Sequence, residues 1–332
     1  EKPAELTAEQ IVELKKAGAS GTVILALMGG GRASGPFPFD LDETHRVGAP
    51  ATHKLLAIYP ILREGPSEVG DYLTLDEANE RKVIEITEKG GGSVPVVVIR
   101  NTSDMPIYIC AGEIIIGGKQ DRMVAYDILI KPRRAVTVNV RCVEQGRWHG
   151  RKMAFRSGAA FAGSGARSAV QFESQTRVWK EVAKQNSAAG VRTSTGTLKA
   201  TLDSGAVERR YREYREALTP ALRGRTTVGM VVAMNGKVVS IDIFANPALF
   251  AKVKDKLLKA AVLDTLGRED EKADPPGREK ILSFYREAMA AEKQRLKDYE
   301  HNANVKRESR KAVSSESVDE KGTMLHRFLK AK

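Results

Sequence analysis

VPVVVIRNTSDMPIYICAGEIIIGGKQDRMVAYDILIKPRRAVTVNVRCVEQGRW, residues 94–148, strings together short runs rich in Val and Ile, punctuated by turn residues. The runs over 94–101, 106–110, 113–116, 124–130 and 135–143 have strand length, and Ser103-Asp104-Met105-Pro106 and Gly117-Gly118 supply turns between them. Connections this short leave no room for the crossover helix that a parallel pair needs, so consecutive strands are expected to run antiparallel.

Working outward, 55–62 and 83–87 read as further strands, with glycines at 90–92 turning the chain into the quoted stretch. Beyond it, SGAAFAGSGARSAV (157–170) has the small-residue composition of a mobile loop, either closing over a ligand or simply disordered. Helices are expected over 171–186 and 206–222. VGMVVAMN and KVVSIDIF flank Asn235-Gly236, the residues of a type I′ hairpin turn, and a helix over 247–266 follows, capped by Asn246. The expected class is α+β: a predominantly antiparallel β-sandwich or barrel-like centre with helices packed after it and helical appendages at both ends.

Four segments follow. Residues 1–28 read as a short helical hairpin, with Thr7 and Gln10 forming a capping box and Gly18 ending the first helix. A linker over 29–53 contains GGGRASGPFPF, and 54–267 is the main α+β domain. Residues 268–332 read as a charged helical appendage: one long helix and a frayed tail, whose Met324, Leu325, Phe328 and Leu329 would dock on a protein partner.

A chain of 332 residues with 42% hydrophobic content can bury a full core, which excludes disorder throughout. The net charge of +12 predicts attraction to anions such as phosphates, nucleotides, nucleic acid or acidic lipid headgroups. The excess concentrates over 128–172, where Lys131, Arg133, Arg134, Arg141, Arg147, Arg151, Lys152, Arg156 and Arg167 face a single acid, Glu144. That segment is either an anion site or a solvated surface.

Two motifs, one before this segment and one inside it, crowd acids, amides and arginines against apolar strands: GEIIIGGKQDR (112–122) and CVEQGRW (142–148). A charge beside a buried strand costs several kcal/mol unless paired, so such a cluster needs internal partners or a ligand. Glu113 and Glu144 are the candidate catalytic carboxylates, able to divide into acid and base if their surroundings separate their pKa values. Arg122 and Arg147 would hold a phosphate, with Lys119, Gln120, Gln145 and Trp148 as further ligand-binding residues. Asp242, alone among apolar neighbours on the hairpin, is a possible third acid, solvent-facing or a deliberate polar insertion. Gln175 and Trp179 are further possible contributors. Asp121 reads as turn chemistry beside Gly117-Gly118.

GEIIIGGKQDR, then CVEQGRW, then the pair Gln175 and Trp179 on one helix, then NGKVVSIDIF (235–244) make the chain similar to an uncharacterised bacterial domain family associated with ADP-ribosylglycohydrolases and rhodanese-phosphatases. The resemblance covers roughly 54–267, with CVEQGRW its most specific piece. It implies participation in NAD or ADP-ribose metabolism.

Absences narrow the chemistry. The five histidines have no metal-ligand spacing, so no histidine-built metal site is expected, while a carboxylate-held Mg²⁺ stays open. Cys110 and Cys142 form no zinc pattern; they are compatible with one disulfide or with two buried thiols, and a thiol nucleophile stays open without a matched histidine to support it. There is no GxxxxGK[ST] loop and no GxSxG elbow, and Gly163-Ser164-Gly165 lacks the preceding strand a nucleotide loop needs. No apolar run approaches the ~18 residues of a membrane span. The chain starts at Glu1, which suggests an extracytoplasmic protein if a signal has been cleaved and a cytoplasmic one otherwise.

The leading expectation is binding or processing of a nucleotide-like or ADP-ribose-like anionic small molecule, hydrolytic if the carboxylates activate water. The alternative is a non-enzymatic extracytoplasmic interaction or scaffold module whose polar motifs are structural. Nucleic-acid binding ranks last, because few aromatics interleave with the arginines. The sequence names no cofactor and leaves open whether any reaction occurs.

Overall fold

A computed structural model describes residues 37–67, 69–90, 95–147, 154–268 and 274–332. The helical hairpin expected over 1–28 and the start of the linker, 29–36, lie outside the described residues.

The fold is α+β. Its largest sheet has ten strands in the order β1 (Phe39–Asp40), β2 (His45–Val47), β4 (Leu56–Arg63), β14 (Thr227–Met234), β15 (Lys237–Phe244), β19 (Met324–Ala331), β18 (Ala312–Asp319), β17 (Asn302–Glu308) and β16 (Gln294–Asp298), with β3 (Ala51–His53) paired to β4. A six-stranded sheet runs β13 (Arg156–Phe161), β9 (Glu113–Ile116), β10 (Arg122–Val124), β12 (Ala135–Cys142), β7 (Val96–Asn101) and β6 (Ile84–Glu88). A three-stranded sheet contains β11 (Ile128–Ile130), β8 (Ile107–Ile109) and β5 (Leu73–Thr74). The short connections read from sequence do give antiparallel pairs; among the described residues only β5 and β8 run parallel.

The two smaller sheets enclose one core, in which Val97, Ile99, Ile115, Val138 and Val140 meet Ile107, Ile109, Ile128 and Ile130. This is the sandwich-like centre. The large sheet is covered on both faces. Helix α6 (Pro247–Leu263) lays Phe250, Val253 and Leu257 against Met230 and Val232, while α7 (Arg278–Ala290) sets Ile281 and Tyr285 against Val231, Ile241 and Ile243. Hence every residue of β14 is buried, as a strand covered twice requires. The hairpin turns at Asn235 and Gly236, both with positive φ, and Asn246 caps α6 by accepting the Leu249 N–H at 2.7 Å.

Three expectations are corrected. Residues 157–170 form no mobile loop: they are most of β13 and helix α2 (Ser164–Phe172), with Ala160, Ala162, Ala166 and Ala169 buried. Small residues are needed there because a Cβ at Gly158 would lie 3.0 Å from the Ile114 carbonyl oxygen. The linker's described part contributes β1, β2 and β3.

The C-terminal segment is not a helix with a frayed tail, since after α7 it adds four strands to the large sheet beside β15. Those strands bury Asn302, Asn304, Ser314, Ser317 and His326, so β17 and β18 lack the apolar signature of a strand. Leu325, Phe328 and Leu329 are buried in the protein's own core. No described helix is long and apolar enough to cross a membrane.

Candidate functional site

The two polar motifs meet. The turn after β9 needs glycine twice: a Cβ on Gly117 would stand 2.6 Å from the Ala154 carbonyl oxygen, and one on Gly118 2.3 Å from the Phe155 ring, and both have positive φ. This close approach folds 117–121 against the end of β12, where Val143 N–H donates to the Asp121 carbonyl at 3.0 Å.

Arg147 lies at the centre. Its Nε donates to Glu144 Oε2 at 2.8 Å, one terminal nitrogen to Asp121 Oδ1 at 3.2 Å, and the other to the Gly118 carbonyl at 3.1 Å. Glu144 also accepts the Asp121 N–H at 3.2 Å. Gln120 donates to the Glu144 carbonyl at 2.7 Å and accepts from the Cys142 thiol at 3.0 Å. Asp121 accepts the Gly117 N–H and the Thr197 hydroxyl, so it serves the turn and the cluster together. Burial pushes its carboxyl above the ordinary range and the neighbouring Glu144 adds to the rise, against the Gly117 N–H, Arg147 and Thr197.

Helix α3 (Gln175–Ala188) braces this knot. Gln175 pairs with both backbone groups of Cys142, accepting its N–H at 3.0 Å and donating to its carbonyl at 2.8 Å. One turn on, Trp179 lines a cavity of about 620 Å³ with Gln145, Asn186, Arg192, Thr193 and Gly196. Gln145 ties the cavity wall to the knot, as does Gly196, which precedes Thr197. The Trp179 indole N–H is buried without an acceptor among the described residues. Trp148 lies outside the described residues.

The other predicted residues sit elsewhere. Arg122, 1% exposed, points to Glu88 at 3.2 Å and to the Phe155 ring, and burial lowers its pKa. Lys119 donates its backbone N–H to that same Glu88 carboxylate. Glu113 and Glu144 share no partner among the described residues. Glu113 meets Lys256 at 2.5 Å and accepts the Cys110 N–H at 2.8 Å, while Lys256 also reaches Asp76 at 2.6 Å. Burial raises the Glu113 carboxyl, with Lys256 opposing.

Asp242 is neither solvent-facing nor near the knot's partners; it heads a buried chain. Arg167 holds it with two contacts, 2.6 and 3.2 Å, from between the rings of Phe161 and Phe328. His326 Nε2 stands 3.1 Å from Asp242, and its Nδ1 stands 2.8 Å from Asp127. Asp127 also accepts the Tyr108 hydroxyl at 2.9 Å and the Ala111 N–H at 2.6 Å. Burial alone would raise Asp242, but Arg167 and His326 bring it down to about 2. His326 goes up to about 9, because Asp127 and Asp242 outweigh its burial.

Asp127, Lys256 and His326 were not anticipated from sequence. Asp127 carried the signal that singled out Asp242, an acid inside an apolar run.

Both cysteines are buried and free, and burial raises both thiols, which counts against a nucleophilic role. Gly163-Ser164-Gly165 does follow a strand, β13, and opens α2. The helix N-terminus is already taken by an internal anion, the Asp264 carboxylate, 3.1 and 3.2 Å from the Ser164 nitrogen. Among the described residues the basic segment is no single patch either: Arg167 is buried, Arg133 pairs with Asp104 and Lys131 with Glu320.

Residues 44–329, from β2 through both polar clusters into β19, match the ARG and Rhodanese-Phosphatase-superfamily-associated Protein domain. The chain belongs to this family. The match extends past the 54–267 expected from the motifs and takes in the C-terminal strands. No curated protein and no solved structure gives a significant match.

Proposed function

We propose that the cavity beside the Glu144–Arg147 knot binds a nucleotide-like or ADP-ribose-like anion. The observation that carries this reading is the convergence of Gln120 and Asp121 from one motif with Glu144 and Arg147 from the other, against a cavity of about 620 Å³ walled by Gln145 and Trp179. Its volume suits a small molecule. Trp179 offers an aromatic face for a base, and Arg192 and the partly exposed Arg147 offer guanidinium groups for phosphate. The family's association with ADP-ribosylglycohydrolase and rhodanese-phosphatase proteins points to the same ligand class.

If the site hydrolyses its ligand, Asp121 and Glu144 are the carboxylate pair, with Asp121, its pKa raised, as proton donor. Glu113, Arg122 and Asp242, each paired with buried or half-buried partners, hold the sheets together in this reading.

The test is a calorimetric and thermal-shift titration with ADP-ribose, NAD, nucleotide mono- and diphosphates and inorganic phosphate, with product analysis on the same samples. A ligand at ~100 times its dissociation constant adds about 2.7 kcal/mol of stability. A saturable response weakened tenfold or more in Arg192→Ala and Trp179→Leu is expected. A flat response across the panel overturns the proposal.

A further inference from the structure

The buried chain around His326 holds a second site. Cys110, Asp127 and His326 bring a thiol, a carboxylate oxygen and a ring nitrogen to within 4.8 Å of one another, all three buried. They come from distant parts of the chain: Cys110 just after β8, Asp127 just before β11, and His326 in β19. No sequence spacing announces them.

The donor set is that of a first-row transition metal of the zinc class, for which one sulfur, one nitrogen and one oxygen are ordinary ligands. What distinguishes it from a chance cluster is that the histidine and the carboxylate are both held in place. His326 presents Nδ1 toward Asp127 at 2.8 Å because its other nitrogen is held by Asp242 at 3.1 Å, and Asp242 is fixed in turn by Arg167. A carboxylate on the far nitrogen is the usual companion of a metal-bound histidine, setting its tautomer and orientation. Phe244 stacks on the imidazole at 4.2 Å and fixes the ring plane. Asp127 is pinned by the Ala111 N–H and the Tyr108 hydroxyl.

We propose that Cys110, Asp127 and His326 form a binding site for one Zn²⁺ or a similar divalent ion, with Asp242 as the carboxylate that orients the histidine. Binding replaces the thiol proton and the Nδ1 proton by the metal, so two protons leave as the dication enters and the formal charge of the site is conserved. Three protein ligands leave one tetrahedral position for a fourth donor.

The full chain, stripped with a chelator, is titrated with Zn²⁺ and separately with Co²⁺. The expected result is one ion retained per chain, a higher melting temperature, and a thiolate-to-Co²⁺ charge-transfer band that survives in Cys142→Ser and vanishes in Cys110→Ser. Cys110 and Cys142 are the only cysteines, so the pair of variants assigns the sulfur. X-ray absorption of the zinc-loaded wild-type chain keeps the proposal testable even if Cys110→Ser does not fold: one sulfur in the metal's shell supports it, and a shell of nitrogen and oxygen alone overturns it. Failure to retain an equivalent of either metal, or a band lost only in Cys142→Ser, also overturns it. None of these readouts depends on the anion site.

Discussion

The two polar clusters use similar residues in opposite ways. Around Arg147, acids and amides gather beside a cavity that the adjoining Gln145 helps to wall, and the arginine that organises them is 27% exposed on its side chain. Around Asp242, the paired Arg167 and His326 side chains are 3% and 1% exposed. A buried charge pair gains little over an apolar replacement but is expensive to break, because the surviving partner keeps its desolvation penalty. A pair whose arginine is partly exposed can exchange a protein partner for a ligand or water at smaller cost. Conspicuous acids beside arginines are therefore not enough to mark a binding site; access decides.

Asp242→Asn should break the comparison hardest. It leaves the buried Arg167 facing a neutral partner and His326 with Asp127 as its one remaining carboxylate, and the expected loss is about 3–5 kcal/mol in denaturant unfolding. A loss under about 1 kcal/mol would mean that the chain is not energetically coupled.

Arg147→Ala tests the other side. Three hydrogen bonds disappear, but Asp121 and Glu144 retain backbone donors and water can reach the arginine's place, so about 1–2 kcal/mol is expected. The larger change should appear in the ligand titration, as loss of the response to phosphorylated ligands. If the variant instead loses as much stability as Asp242→Asn, the knot is a structural node and the contrast fails.

The parts of this architecture that could be read in advance are those where burial is apolar. Strands β8 to β11 show Val and Ile runs between turns because both their faces pack on hydrocarbon, while β7 and β12 bury Val97, Ile99, Val138 and Val140 on one face. The turn at Asn235-Gly236 and the cap at Asn246 were legible because their chemistry is local. Strands β16 to β19 were hidden because Asn302, Asn304, Ser317 and His326 face inward to satisfy one another and Asp127. The same holds for the site. Gln120, Glu144, Gln145 and Arg147 converge through strand pairing close in sequence, whereas Lys256 and His326 reach their partners across long separations that no motif records.

A third polar cluster calibrates the acid response. At the turn between β1 and β2, Asp42 accepts from the His45 ring at 2.8 Å and from the Tyr285 hydroxyl at 2.6 Å. Burial would raise its pKa, but these contacts hold it below its ordinary 3.8. A carboxyl lowered in the folded state stabilises fully above its unfolded pKa and loses that contribution as pH falls toward the folded value. Asp42→Asn should cost about 1 kcal/mol at neutral pH and progressively less below pH 4. A variant penalty independent of pH would sever the link.

The smallest effect belongs to Cys142, the knot's own thiol. Its Sγ donates to Gln120 at 3.0 Å, and a serine hydroxyl can make the same bond from a shorter reach, so Cys142→Ser should change stability by less than about 1 kcal/mol. Because Cys110 and Cys142 are both buried and unpaired, the native metal-free chain should resist a thiol reagent and then release two thiols on unfolding without reductant. Zero thiols would reveal a bridge between them. A thiol that reacts in the native state and is protected by ADP-ribose would move Cys142 from the brace of the knot into the ligand's path, and would extend the accessible edge of the comparison three residues back from the cavity wall at Gln145.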